Sequence, residues 1–433
     1  MQRLRGLKAL IHDAVDHTTE LVQEGHESSS RSVMRVLGAI PSLAPSAERV
    51  DGLRRRTTSG VLGTIRGVNR AIEAISDVGI DVAEAALSVG KADTDLALPQ
   101  PLPMRSDVTG TARWLGDAAL GLVNGVIGDA LHAKHNGLAL GMTMRYGDRY
   151  LRLDALSMRA ALPEASSRVV IFVHGLATTE WSWTLESEAY HGDPAASFGT
   201  LLARDLGCTS IFVRYNSGRH VSENGRLLAR ELQRLVDSYP RAIEEIVLVG
   251  HSMGGLVIRS ACHYADSEGL SWVADLRRVF CLGTPHRGAP LERVGQVVAA
   301  ALGAVDTPAT QICGRLLRSR SAGIKDLRWG ALCDEDWFGR DPDAESEAGV
   351  REIPLLDRVT YHFVSATVTE DPEHPLGRLV GDLLVRVPSA QGPVFETRVF
   401  PIDTRHFGGV MHHQLQNHPA IYEQLRAACE APS

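Results

Sequence analysis

Ile246–Leu256 reads IVLVGHSMGGL, and the rest of the chain can be laid out from it. Ile246, Val247, Leu248 and Val249 make a short continuous apolar run, the pattern of a strand buried on both faces. Gly250-His251-Ser252-Met253-Gly254 follows without a break. A G-x-S-x-G sequence directly after a strand has the form of a nucleophile elbow, in which the serine occupies a strained turn between strand and helix. Gly250 and Gly254 stand where a side chain would collide with the neighbouring strand or helix. Leu256-Val257-Ile258-Arg259-Ser260-Ala261 supplies the helix that must come next. A bare G-x-S-x-G also arises by chance as a glycine-rich turn without chemistry, so the flanking strand and helix decide in favour of an elbow. Ser252 is then expected to present its hydroxyl at the carboxyl edge of a sheet.

Upstream and downstream of this stretch, strand and helix alternate. Met142–Tyr146 and Tyr150–Leu153 flank Gly147-Asp148 and predict a β-hairpin. Arg168–Val173 (RVVIFV) predicts a buried strand that runs into His174-Gly175-Leu176. A helix near 197–205 leads to a strand at 210–214, and a helix near 222–237, N-capped by Ser222, leads to the elbow strand. Arg278–Leu282 predicts the next strand, followed by GTPHRGAP; Val359–Ala366 and Val394–Phe400 resume the strand pattern, and Pro419–Ala428 a terminal helix. Such alternation predicts an α/β fold with a mostly parallel sheet covered on both faces. Residues 290 to about 350 break the rhythm and read as a helical cap or lid over the carboxyl edge.

Residues 1–135 have a different, all-helical texture. Val61, Ile65, Val68, Ile72 and Ile75 repeat at alternating spacings of four and three, an apolar seam. Packing within the chain is the favoured reading of this seam, with a second subunit or a lipid surface left open as its partner. Leu98-Pro99-Gln100-Pro101-Leu102-Pro103 is a stiff connector. The expected organisation is thus an N-terminal helical region over 1–135 and a catalytic domain over 136–433.

At 433 residues, with 44% hydrophobic content, the chain can bury a large core. Its net charge of -7 offers no electrostatic footprint for nucleic acid. The six cysteines are scattered, with neither C-x-x-C pairs nor the density of a disulfide scaffold, and read as reduced. The N-terminus carries His12, Asp13 and Asp16 before any signal-peptide apolar region could develop. The most apolar helical stretch has only 11 uncharged residues between Asp117 and Asp129, well short of the ~20 a spanning helix needs. A soluble, cytoplasmic protein is the expectation, with peripheral membrane contact left open.

A serine hydroxyl is a poor nucleophile at neutral pH and needs a histidine to take its proton and a carboxylate to hold that histidine. In folds built around an elbow, the acid follows a strand late in the sheet and the histidine follows the last one. Asp382 lies beyond the strand at 359–366, just after Gly381, with apolar flanks that predict burial. Glu370 and Asp371 are its rivals, although Glu370-Asp371-Pro372-Glu373 reads as an exposed turn. For the base, GGVMHHQLQNHP offers His412, His413 and His418; on spacing alone His412 and His413 are tied. Two amide donors for a tetrahedral oxyanion are expected from Met253 and Leu176. His174 and His251 read as support rather than as the base.

FVHGL, VGHSMGGL, LGTPHRGAPLE, VGDLLV and MHHQLQNHPAIYEQL occur in this order between about residues 140 and 430. Together they resemble the bacterial lipase and esterase branch of the α/β-hydrolase superfamily, and specifically the GPI inositol-deacylase-like proteins. That resemblance implies an acid in a Gly-Asp-Gly-Leu-Val loop, which matches Asp382 with Leu383 in place of the second glycine. It also implies a base seven residues before the proline that opens the last helix, which counts back from Pro419 to His412. Gly283-Thr284-Pro285-His286 is implied to support the region near the nucleophile. The N-terminal helices have no counterpart in it. The expectation is a carboxylic-ester hydrolase of the lipase/esterase kind, acting on an apolar or lipid-like acyl ester through an acyl-enzyme on Ser252, without metal or cofactor. Two other readings stay open: the same triad transferring its acyl group to an alcohol or amine, and a lipid- or partner-binding helical protein that uses the hydrolase fold as a scaffold.

Overall fold

The computed structural model describes residues 110–133, 139–289, 321–339, 350–374, 377, 380–392 and 402–431. The chain divides into two units, residues 1–126 with 295–320 and residues 127–294 with 321–433. Of the first, only part of helix α1 (Gly110–Ala133) is described. The apolar seam at 61–75, the strand expected at 394–400, Cys313 and most of the expected lid lie outside the described residues.

The second unit begins with the hairpin β1 (Thr143–Tyr146) and β2 (Arg149–Tyr150), which turns at Gly147 in the left-handed region (φ 54°). Helix α2 (Ala155–Ala161) is capped by Asp154, whose side chain accepts from the Ser157 amide. Strand β3 (Arg168–Val173) follows, then a strap that holds helix α3 (Ser187–His191), then helix α4 (Phe198–Leu206). Ser197 and Thr200 form a reciprocal capping box at the start of α4, and Gly207 (φ 64°) ends it. Strand β4 (Thr209–Arg214) leads into helix α5 (Val221–Ser238), whose Val221, Leu228, Leu232 and Leu235 are buried at helical spacing. Strand β5 (Glu245–His251) and helix α6 (Met253–Glu268) form the elbow, and strand β6 (Leu276–Leu282) pairs beyond it. Helix α7 (Ala322–Trp329), strand β7 (Thr360–Thr367), the short helix α8 (Val387–Ala390), strand β8 (Ile402–Gly408) and helix α9 (Pro419–Glu430) follow among the described residues.

Among the described residues eight strands form one sheet in the order β2-β1-β4-β3-β5-β6-β7-β8. From β4 to β8 all neighbours are parallel, and only the β1–β2 and β1–β4 pairings are antiparallel. Ile246, Val247, Leu248 and Val249 of the central β5 are each at most 2% exposed, as an apolar run covered on both faces requires. Burying each such side chain contributes roughly 1.5–3 kcal/mol, which makes β5 and its neighbours the stable floor of the site. On one face Phe172, Trp183, Phe198, Val249 and Leu282 pack with Leu415, Ile421 and Leu425 in a single cluster. Leu415 and the α9 residues therefore bring the end of the chain back against the first parallel strands.

Three details differ from the sequence reading, the first being the second arm of the hairpin, which is Arg149–Tyr150 while 151–153, expected as strand, lie outside any strand. Helix α5 starts at Val221 after His220, so Ser222 sits inside the first turn, and its hydroxyl donates to Asp334 Oδ1 at 2.7 Å instead of capping the helix. Strand β8 at 402–408 is one the sequence reading does not assign, because IDTRHFG is half-exposed and has no buried face to demand alternating apolar residues. At the other end of the sheet, Glu180 is fully buried between Arg214 (2.7 Å) and Arg145 (3.6 Å) and also accepts from the Tyr150 hydroxyl at 2.8 Å. These ionic bonds clip the strap after β3 to the hairpin. Five cysteines, Cys208, Cys262, Cys281, Cys333 and Cys429, are free and buried. Among the described residues no helix is long and apolar enough to cross a membrane.

Candidate active site

The parallel arrangement brings the carboxyl ends of β3, β5, β6, β7 and β8 to one edge, and every candidate residue lies in a connection leaving that edge. Ser252 is the residue between β5 and α6, with φ 54° and ψ -124°. That is a backbone region L-residues avoid, at a cost of order 1–3 kcal/mol, and it turns the side chain out of the strand. The turn is possible because its glycines admit no side chain. A Cβ on Gly254 would stand 2.2 Å from the Val173 carbonyl oxygen, and one on Gly250 would stand 2.6 Å from the Gly255 amide nitrogen. The Ser252 amide donates to Leu282 O at 2.8 Å, which fixes the elbow against β6. The serine is half-buried, flanked by buried His251 and Met253.

The acid loop follows β7. Asp382 is 1% exposed; Oδ1 accepts from the Leu384 amide at 3.0 Å and the Val385 amide at 2.8 Å, and Oδ2 meets His412 Nδ1 at 2.7 Å. The His412 amide also donates to Asp382 O at 3.1 Å, so backbone and side chain hold the pair in register. Leu383, directly after Asp382, has φ 86°, a left-handed conformation that glycine adopts freely and leucine does not. Glu370 and Asp371 are exposed, and Asp371 caps its own turn by accepting from the Glu373 amide at 2.9 Å.

His412 opens a 3-10 turn, 412–416, immediately after β8. A carboxylate can only accept, so Nδ1 carries the proton toward Asp382 and Nε2 is left as the basic nitrogen. Nε2 is buried and has no hydrogen-bond partner among the described residues. The Ser252 hydroxyl does not reach it within hydrogen-bonding distance in this arrangement. The ring nevertheless stands over the elbow. A Cβ on Gly283, next to the carbonyl that receives the Ser252 amide, would lie 3.1 Å from His412 Nδ1, and the His251 and His412 ring centroids are 4.8 Å apart. Hydrogen bonds between catalytic groups often tighten only when substrate binds.

Two other histidines are committed elsewhere. The Tyr215 amide donates to His174 Nε2 at 3.3 Å, so Nδ1 carries the proton and donates to Gly175 O at 2.9 Å. Burial pulls the His174 pKa down to about 4, which keeps it neutral. His251 Nε2 bonds to His412 O at 2.9 Å, and burial, then the neighbouring His412, holds His251 well below the usual imidazole range. His251 therefore ties the residue before Ser252 to the backbone of His412. Farther along α6, Arg259 Nη1 donates to His286 Nδ1 at 3.2 Å, and Gly255 is so close to Thr284 that a Cβ would stand 2.0 Å from its Oγ1. This is how Gly283-Thr284-Pro285-His286 is packed against the elbow helix.

The loop after β3 crosses the elbow closely, since a Cβ on Gly175 would be 3.1 Å from Ser252 Cβ. Leu176 follows in that loop, half-buried, and Ala177 adopts φ 58° while its amide donates to Ser217 Oγ at 3.0 Å. Met253 is the first residue of α6, where amides have no intrahelical partner and the helix dipole favours negative charge. Among the described residues no group of three or more His, Cys, Asp or Glu could hold a metal ion.

Residues 209–307, which run from β4 past β6, match the family model described as a PGAP1-like alpha/beta domain. No curated protein was found as a sequence relative. Among solved structures the chain is similar to the mature form of the lipase BlEst2 from Bacillus licheniformis, at 17% identity over 60% of this chain and 91% of that one, with a TM-score of 0.38. Aspergillus fumigatus lipase B is 13% identical over 66% of this chain and 60% of its own, with a TM-score of 0.35. A Pyrobaculum calidifontis esterase is 13% identical over 60% and 75% of the two chains, with a TM-score of 0.31.

Proposed function

We propose that the chain is a serine hydrolase of the α/β-hydrolase superfamily that cleaves carboxylic esters, with Ser252 as nucleophile, His412 as base and Asp382 as the acid that orients it. The observation that carries this reading is the 2.7 Å bond between Asp382 Oδ2 and His412 Nδ1, which leaves the basic Nε2 unclaimed over the strained Ser252 turn. Rotation of the serine side chain toward Nε2 makes the hydroxyl a nucleophile. Its oxygen attacks the acyl carbonyl as its proton passes to Nε2, and the carbonyl oxygen takes the negative charge. The amides of Leu176 and Met253 receive that charge, each such donor being worth about 2.7–4 kcal/mol in the rate. Collapse expels the alcohol with the proton from His412, and water, activated by the same imidazole, releases the acid.

Leu176 lies in the loop that crosses the elbow and Met253 directly follows Ser252 in the chain, two apolar residues beside the candidate nucleophile, and on this basis the acyl group is proposed to be apolar. A series of 4-nitrophenyl esters from acetate to laurate tests this. Turnover that rises with chain length before levelling off is expected. Absence of turnover across the series would contradict the reading, and acceleration by an added alcohol with formation of its ester would move it to acyl transfer.

A further inference from the structure

The strap 180–196, which follows the loop carrying Leu176, sends Ser182, Glu186, Ser187 and His191 to the segment 413–417 that follows His412. Ser182 Oγ donates to Gln416 Oε1 at 3.0 Å, and Asn417 Nδ2 donates to Ser187 Oγ at 2.8 Å and to Leu185 O at 3.2 Å. His191 Nε2 bonds to Asn417 O at 3.1 Å. Gln416 and Asn417 are buried, so these bonds are part of the folded core.

Glu186 is different. Its side chain is 34% exposed, yet Oε1 meets His413 Nε2 at 2.9 Å and Oε2 accepts from Gln414 Nε2 at 3.0 Å. One carboxylate thus grips the two residues that directly follow His412. The His413 hydrogen bond holds the Glu186 carboxyl down at about 2, so it is ionised at neutral pH. The backbone of Glu186 is left-handed (φ 58°, ψ 15°), which costs a non-glycine residue of order 1–3 kcal/mol. A carboxylate–imidazole contact as exposed as this contributes only ~0–1 kcal/mol to stability. Stability alone does not account for the strained placement; the aim of the carboxylate does. The doubled histidine then has two jobs, one facing Asp382 and one facing the strap.

We infer that Glu186 is a positioning residue: by clasping His413 and Gln414 it sets the orientation of the His412 imidazole over Ser252, and it couples that orientation to the loop that carries Leu176. The inference rests on His412 acting as the base. It fits the scale of catalytic positioning, where a displacement of about 1 Å can lower the rate by ~10²-fold.

The test uses the full-length protein with Glu186→Gln, Glu186→Ala, His413→Gln and the Glu186→Gln/His413→Gln double variant. Each single variant is expected to lower kcat by roughly 10- to 100-fold with KM within about twofold and Tm little changed. The double variant should be no worse than the poorer single one, because both remove the same contact. In parallel, the far-downfield imidazole proton of the Asp382–His412 bond, assigned by its loss in His412→Ala, should broaden or vanish in Glu186→Ala. Unchanged kcat, multiplying losses in the double variant, or an undisturbed proton signal would each overturn the inference. If wild type cleaves no ester, the proposed function fails while the proton signal still decides the role of Glu186; absence of that signal from wild type would remove the geometry beneath it.

Discussion

Replacing His412 by alanine is expected to lower ester turnover by on the order of 10⁴- to 10⁶-fold, the scale reached when a triad loses its base. His413→Ala should cost no more than roughly 100-fold. The two residues are neighbours in a tandem pair, so the contrast isolates geometry from composition. His412 is buried, bonded to Asp382 at 2.7 Å and set over the elbow. His413 points the other way, half-exposed, with its Nε2 on Glu186. Steady-state kcat/KM of the two variants on one ester, with circular dichroism to show that both are folded, checks this. A larger loss in His413→Ala would reverse the assignment.

Asp382→Asn is expected to lower kcat by about 10⁴-fold while leaving the fold intact. Asparagine keeps an acceptor oxygen for the Leu384 and Val385 amides, the bonds that shape the acid loop. Its other atom becomes a donor. An amide donating to His412 Nδ1 forces the ring proton onto Nε2, where it faces Ser252 and cannot accept the hydroxyl proton. The predicted loss is therefore one of tautomer, not of packing. A kcat within tenfold of wild type, with unchanged Tm, would show that Asp382 does not orient the base. The exposed Glu370 and Asp371, which the sequence offers as rivals, should tolerate the same amide substitution without effect.

The parts of this site that were legible in the sequence are those whose cause is local. IVLVGHSMGGL shows a buried strand, an elbow and a helix because apolar continuity and close-packed glycines leave a trace residue by residue. Asp382 could be favoured because the apolar neighbours of a carboxylate imply burial, and it is 1% exposed. Leu383 shows the same logic from the other side. It stands where the resembling loop has glycine, and its φ of 86° is the conformation that glycine would take freely. The tie between His412 and His413 could not be broken by spacing, because both lie in one turn and what separates them is a carboxylate 227 positions away in sequence from His413. Glu186 itself gives no signal at all: its local sequence, Leu185-Glu186-Ser187, carries nothing that predicts a left-handed backbone. Strand β8 escaped notice for a related reason, since an edge strand needs no alternation of apolar residues to pair with β7.

The most direct measurement is covalent. A fluorophosphonate requires an activated serine, an oxyanion site and an accessible path, all three at once. The account predicts that wild-type protein is labelled stoichiometrically, that peptide mass spectrometry finds the adduct on Ser252, and that Ser252→Ala takes up no label. An adduct on another residue, or undiminished labelling of Ser252→Ala, would contradict it.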